Sequence, residues 1–296
     1  MRLQVVRRRV ELPDRGVTLA TLDFGGDGPL ALLAHANGFC GGLFGLIAPA
    51  LREEFRVVAF DSRGHGDSSR PPLDAYDWGE FVLDLLALAE HLCAELGFPR
   101  VDYGIGHSFG GTAMVTAAAE RPQLFGRLAL LDPVVMPPAV ERPLDIARRR
   151  SLMADIARKR RQVWRSRDEI RAAWQGRDAF AAWDARALDL YIEEGFRERE
   201  DGQIELKCPG EVEAAIFEAS PGFDLFARTK SARTPGLLLH GGEGHLPAEL
   251  HARLAASLAL ELESIPAGHL MLMTAPDEIA RRLLAFAART PLALAG

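Results

Sequence analysis

Short apolar runs alternate with turn signals along the first third of the chain. Residues 3–12 and 17–24 are rich in β-formers and flank Pro13-Asp14-Arg15-Gly16. Proline presets φ there and glycine accepts a positive one, so the pair reads as a hairpin of edge strands. Residues 30–35 and 55–60 are apolar without alternation, the pattern of strands buried on both faces. Between 78 and 96, Phe81, Leu85, Leu88, Leu92 and Leu96 recur at helical spacing until Gly97 and Pro99 end the helix. A strand at 101–105, a helix of small residues at 109–119 and a strand at 127–131 follow. The alternation then stops. From 136 to 232 the chain is charged, helical and rich in Trp and Arg, with a hairpin expected near Gly202. It resumes with a strand at 236–240, a helix at 248–258, a strand at 260–265 and a helix at 277–287.

Alternating strands and helices predict an α/β protein with a mostly parallel sheet and helices on both faces. The interruption reads as a helical lid (cap) inserted into that sheet. The expected organisation is a core of residues 1–135 and 233–296, with residues 136–232 lying over the carboxyl edge of the strands. Open α/β sheets bind ligands at that edge.

Composition narrows the function classes. A chain of 296 residues with 48% hydrophobic residues buries a large core without staples. Its 41 acidic residues outweigh 35 basic ones, which argues against a nucleic-acid partner. Cys40, Cys93 and Cys208 are widely spaced and odd in number, so neither a disulfide framework nor a metal site is expected. Arg7, Arg8 and Arg9 stand where a signal peptide needs its apolar region, and no apolar stretch is long enough to span a bilayer. A cytoplasmic protein, not bound to membranes, is the expectation.

The chemistry concentrates at strand ends. Gly106-His107-Ser108-Phe109-Gly110-Gly111 lies between a predicted strand and a predicted helix, the context of a nucleophile elbow. A serine on so tight a turn exposes its hydroxyl at the sheet edge, and the helix N-terminus favours developing negative charge there. A serine hydroxyl needs a base at neutral pH, and histidine suits that task. Of eight histidines, His269 alone combines the end of a late strand with a glycine-flanked loop, in Pro266-Ala267-Gly268-His269. The loop His35-Ala36-Asn37-Gly38-Phe39 offers backbone N–H groups for an oxyanion. Phe109 is the expected first donor, with Asn37 as first choice and Phe39 as second choice for the other.

Taken together, these residues resemble the α/β-hydrolase family, specifically its serine esterase-like members with a helical lid. The resemblance spans about residues 15–290. His35 to Phe39, the loop from Asp61 to Ser68, the elbow at Ser108 and Gly268-His269 occur in the family's order. It implies an eight-stranded sheet with the second strand antiparallel, a nucleophile after strand five and a histidine after strand eight. Asp61 to Ser68 resembles a structural loop and is assigned no chemistry. The family most often carries its acid after strand seven. That segment here is Gly241-Gly242-Glu243-Gly244, where Glu243 falls one residue early. Asp132, before Pro133 at the end of strand six, is the alternative used by some members, and it is preferred.

These residues predict a cofactor-free, metal-free serine hydrolase acting on a small or medium ester. Thioesterase, C–C bond hydrolase and cofactor-free perhydrolase activities remain open, as does a receptor on a hydrolase scaffold with little or no turnover. The basic run in the insertion (Arg148, Arg149, Arg150, Arg158, Lys159, Arg160, Arg161, Arg165 and Arg167) reads either as a solvated helix face or as a site for an acidic substrate or partner. Trp164, Trp174, Trp183 and Tyr191 either line the acyl pocket or pack against the core.

Overall fold

The computed structural model describes residues 4–142, 145–244 and 246–291. Its main sheet is built from β1 (Val6–Leu12), β2 (Val17–Gly25), β3 (Leu30–Ala34), β4 (Arg56–Phe60), β5 (Val101–His107) and β6 (Phe125–Leu131). The segment between 136 and 232 carries a second, small sheet of β7 (Val163–Trp164), β8 (Phe196–Glu198) and β9 (Ile204–Leu206). The main sheet is completed by β10 (Gly236–Gly241) and β11 (Glu261–Ile265), in the order β1-β2-β4-β3-β5-β6-β10-β11. β2 runs antiparallel to both of its neighbours, and every other pairing from β4 to β11 is parallel.

Apolar strand sequence explains the order of burial. All five residues of β3 and all seven of β6 are buried, because helices cover both faces. At the edge, β11 carries an exposed Glu261 and a half-buried Glu263, which pair with Arg289 and Arg282 of the last helix, Pro276–Arg289. Charged side chains on an edge strand discourage pairing with a second sheet. The helix Trp78–Leu96 begins with the Asp77 carboxylate accepting from Gly79 N–H at 2.8 Å and ends at Gly97 with a left-handed φ of 75°.

The inserted segment differs from its sequence reading in one respect. The hairpin near Gly202 is present as β8–β9, with Gly202 at φ 75°, but a third strand, β7, adds to β9. Two residues are too few for a period-2 pattern to register. Trp164, Trp174 and Tyr191 are buried and pack with Trp183, Phe180 and Phe196 into one aromatic cluster, with Trp174 stacked on Phe180 at 4.8 Å. Among the described residues, no helix is long and apolar enough to cross a membrane.

Candidate active site

Parallel strands deliver the functional side chains to one edge. Ser108 follows β5, Asp132 follows β6, His269 lies in the loop after β11, and Asn37 lies in the loop after β3. Ser108 has φ 55° and ψ −121°, a conformation that side chains rarely adopt and that costs about 1–3 kcal/mol. Its neighbours make the turn possible. A Cβ on Gly106 would lie 2.4 Å from Gly110 O, and one on Gly110 would lie 2.3 Å from Ala34 O. Only glycine permits both approaches. Ser108 N–H donates to Leu131 O at 2.9 Å, which anchors the elbow to β6.

The three strand ends meet in a hydrogen-bonded chain. Ser108 Oγ lies 2.8 Å from His269 Nε2, and His269 Nδ1 lies 2.6 Å from Asp132 Oδ2. Asp132 is fully buried at φ 44°, and its Oδ1 accepts from Gly241 N–H at 2.9 Å. Burial pushes the Asp132 carboxyl up. The hydrogen bonds from His269 and Gly241 N–H outweigh that, and the group is held below the usual carboxylate range. A carboxylate kept ionised beside an imidazole orients the ring and stabilises its cation.

Of the two acidic candidates, Asp132 is therefore the one that meets the imidazole. Glu243 is corrected: its side chain is solvent-exposed, and the residue's contact with the His269 loop is its backbone N–H donating to Ala267 O at 3.1 Å. The glycine-rich turn after β10 approaches the histidine loop through backbone, and the carboxylate that meets the imidazole follows β6.

Phe39 is corrected as an oxyanion donor. Its N–H is taken by Ala36 O at 3.2 Å, closing a turn, while its ring packs 5.1 Å from Tyr191. Gly38 N–H donates to His65 Nε2 at 3.1 Å. Asn37 N–H has no partner among the described residues, and the residue lines the same cavity as Ser108. Phe109 starts the helix Phe109–Glu120, with its ring fixed edge-on against Trp78 and Phe81 at 4.7 and 4.8 Å.

The inserted segment braces this loop. Asn37 Nδ2 donates to Glu213 O at 3.1 Å, and the Tyr191 hydroxyl donates to Gly38 O at 3.1 Å. From below, His35 Nδ1 donates to Ala36 O and its Nε2 accepts from Ser62 N–H at 3.0 Å. Burial holds the His35 pKa below its ordinary value and lowers that of His65 to about 3, so both rings act as neutral struts. Asp61 accepts from Gly41 N–H and Asp67 N–H, a purely structural role.

Three histidines near the site had no assigned role in the sequence reading. His107 Nε2 donates to His269 O at 2.8 Å and so holds the His269 loop; burial, aided by the neighbouring His269, lowers its pKa to about 4. His240 Nδ1 donates to Asp132 Oδ1 at 3.2 Å, and His251 Nε2 donates to Pro133 O at 2.8 Å. The signal for His240 was its position at the end of β10, beside β6. Asp132, His240 and His251 also bring ligand atoms within 4.8 Å of one another. Those atoms already satisfy one another and the backbone, and a cation there would take Asp132 from the imidazole.

A cavity of about 520 Å³ opens over Ser108 and His269. Trp78, Val135, Met136, Ile216, Phe217 and Leu250 make it largely apolar, and its size suits a small molecule. The insertion's tryptophans at 164, 174 and 183 are not among its lining residues.

Residues 31–282 match the model of the Alpha/beta hydrolase family. The chain belongs to that family. Monoglyceride lipase of Rattus norvegicus is 34% identical over 110 residues, covering 36% of this chain and 35% of the lipase. The dihydrolipoyllysine-residue acetyltransferase component of the acetoin cleaving system of Pseudomonas putida is 27% identical over 288 residues, covering 92% of this chain and 67% of that protein. The structure of E-2-(acetamidomethylene)succinate hydrolase superposes with a TM-score of 0.79 at 22% identity, covering 96% of this chain and 100% of that one. The chain thus spans about a third of the lipase's length, and the relatives' names differ too widely for membership to select a substrate.

Proposed function

We propose that this α/β hydrolase is a serine hydrolase cleaving a small or medium ester through an acyl-serine intermediate. The observation that carries this reading is the unbroken chain from Ser108 Oγ through His269 to the buried Asp132. Ser108 Oγ attacks the carbonyl carbon as His269 Nε2 takes its proton, and Asp132 supports the imidazolium. The N–H groups of Phe109 and Asn37 donate to the tetrahedral oxyanion. His269 then returns the proton to the leaving alcohol. A water molecule, deprotonated by His269, attacks the acyl-serine, and collapse of the second tetrahedral species frees the acid and restores Ser108. No step requires a metal or an organic cofactor.

In this scheme residues 1–135 and 233–296 act as the core and residues 136–232 as a lid over the cavity. A serine at the elbow supports acyl transfer over chemistry that needs a carboxylate nucleophile. The receptor reading drew on a missing acid after β10. Asp132 supplies a carboxylate from β6, which leaves that reading without a favouring observation. A panel of aryl esters with acyl chains from acetate to decanoate tests the proposal. Turnover is expected for short and medium chains, because the cavity volume limits longer ones; no turnover of any member would contradict it.

A further inference from the structure

The helix Ile146–Arg158 presents its basic run unevenly. Arg149 pairs with Asp145 at 2.8 Å, Arg158 with Glu211 and Glu218, and Arg161 with Glu169 at 3.0 Å. Arg160 pairs with Glu213. Arg150 differs. It is half-buried, it lines the cavity that holds Ser108 and His269, and it takes part in no ion pair among the described residues. Its Nη2 faces Met136 Sδ at 3.0 Å and its Nη1 faces Met153 Sδ at 3.7 Å.

Thioether sulfur is a weak, uncharged acceptor, so the guanidinium charge meets no anion among the described residues. Burial lowers the Arg150 pKa with no carboxylate to offset it. An arginine nevertheless stays charged, and a partly buried charge is stabilised by a partner of opposite sign. The acidic groups lining the cavity are already paired: Asp145 with Arg149, which also lines it, and Glu213 with Arg160, which lies behind it. Arg150 is therefore the arginine of this apolar wall left without an ion pair among the described residues. A monoanion neutralises it; a dianion would leave one negative charge beside Glu213 and Asp145. The planar guanidinium fork also matches a carboxylate through two parallel hydrogen bonds.

We propose that the substrate of this hydrolase bears a carboxylate, bound by Arg150 while its scissile carbonyl rests against Ser108. The proposal rests on the serine-hydrolase reading and names its substrate class. A site that binds a polar group by desolvated donors rejects the analogue lacking it far more strongly than an apolar pocket does. Arg150 is thus the residue expected to separate acid-bearing esters from neutral ones.

The test compares two matched pairs, each an acid-bearing ester with a neutral counterpart: monophenyl adipate with phenyl hexanoate, and 4-acetoxybenzoate with its methyl ester. The first pair places the carboxylate on the acyl side, the second on the alcohol side. In at least one pair the acid-bearing ester is expected to have a kcat/KM tenfold or more above its neutral partner. Arg150→Gln should shrink that ratio at least tenfold, mainly through KM, and Arg150→Lys should restore part of it. A ratio within one variant is insensitive to the fraction of protein folded. An equal ratio in wild type and Arg150→Gln would overturn the proposal. Calorimetric binding of the same esters to Ser108→Ala separates the two claims. Carboxylate selectivity that Arg150→Gln removes supports the Arg150 site even without turnover, whereas turnover without selectivity rejects it and leaves the hydrolase reading intact. The phosphonate analogue should bind more weakly than the carboxylate, and the reverse order would reject the monoanion assignment.

Discussion

Ser108→Ala is expected to lower kcat/KM for an activated aryl ester by roughly 10⁴- to 10⁶-fold, the scale seen when a serine nucleophile acting with its base is removed. The loss has a local cause. The elbow geometry stays, because alanine tolerates the strained bend no worse than serine and the glycines around it are untouched. What disappears is the oxygen that lies 2.8 Å from His269 Nε2. Donors aimed at the oxyanion and the cavity itself remain, so residual turnover above the uncatalysed rate is expected. Thermal denaturation should show a folded variant. Steady-state kinetics in which Ser108→Ala keeps more than a tenth of wild-type activity would reject Ser108 as nucleophile.

Asp132→Asn should be nearly as damaging, lowering kcat by about 10⁴-fold. Asparagine keeps the shape and can still accept from Gly241 N–H. To do so it turns its amide NH₂ toward His269 Nδ1, which forces that nitrogen to accept. The proton then sits on Nε2, and the ring can no longer take one from Ser108. Its support for the imidazolium is lost as well. Glu243→Gln removes an exposed carboxylate and should change kcat/KM by less than about twofold, in the range of surface substitutions. Kinetics of the two variants side by side decide the acid: a larger loss in Glu243→Gln than in Asp132→Asn would reverse the assignment.

Much of the fold was legible because it depends on local pattern. Doubly buried strands read as short apolar runs, and the helix Trp78–Leu96 announced itself through its spacing and its terminal Gly97. Ser108 was legible for the same reason, since Gly106 and Gly110 are demanded by contacts within one turn of chain. The acid was not. Asp132 and Glu243 both follow strands that border one another, and the choice turns on how deeply each loop sits beside His269. Burial and a positive φ at Asp132 emerge only when β6, β10 and β11 pack together. Phe39 misled because a turn bond to Ala36 consumes its N–H, a commitment that residue types alone do not reveal. Arg150 was hidden among nine basic residues, and its direction is set by the fold around Met136 and Met153.

The inserted segment and the loop after β3, proposed as lid and oxyanion loop, are joined by hydrogen bonds. Tyr191 and Glu213 hold Gly38 and Asn37 from the insertion, so movement of residues 136–232 would shift a proposed oxyanion donor as well as the cavity wall. Preorganised donors are effective only while their direction is fixed.

The central claim is that Ser108 becomes covalently acylated. Rapid acid quench of the wild-type protein with an activated ester, followed by peptide mass analysis, measures this directly. The account predicts one acyl group per chain, on the peptide containing Ser108, appearing before steady state. Hydrolysis that proceeds with the Ser108 peptide unmodified, or with the acyl group on another residue, would contradict it.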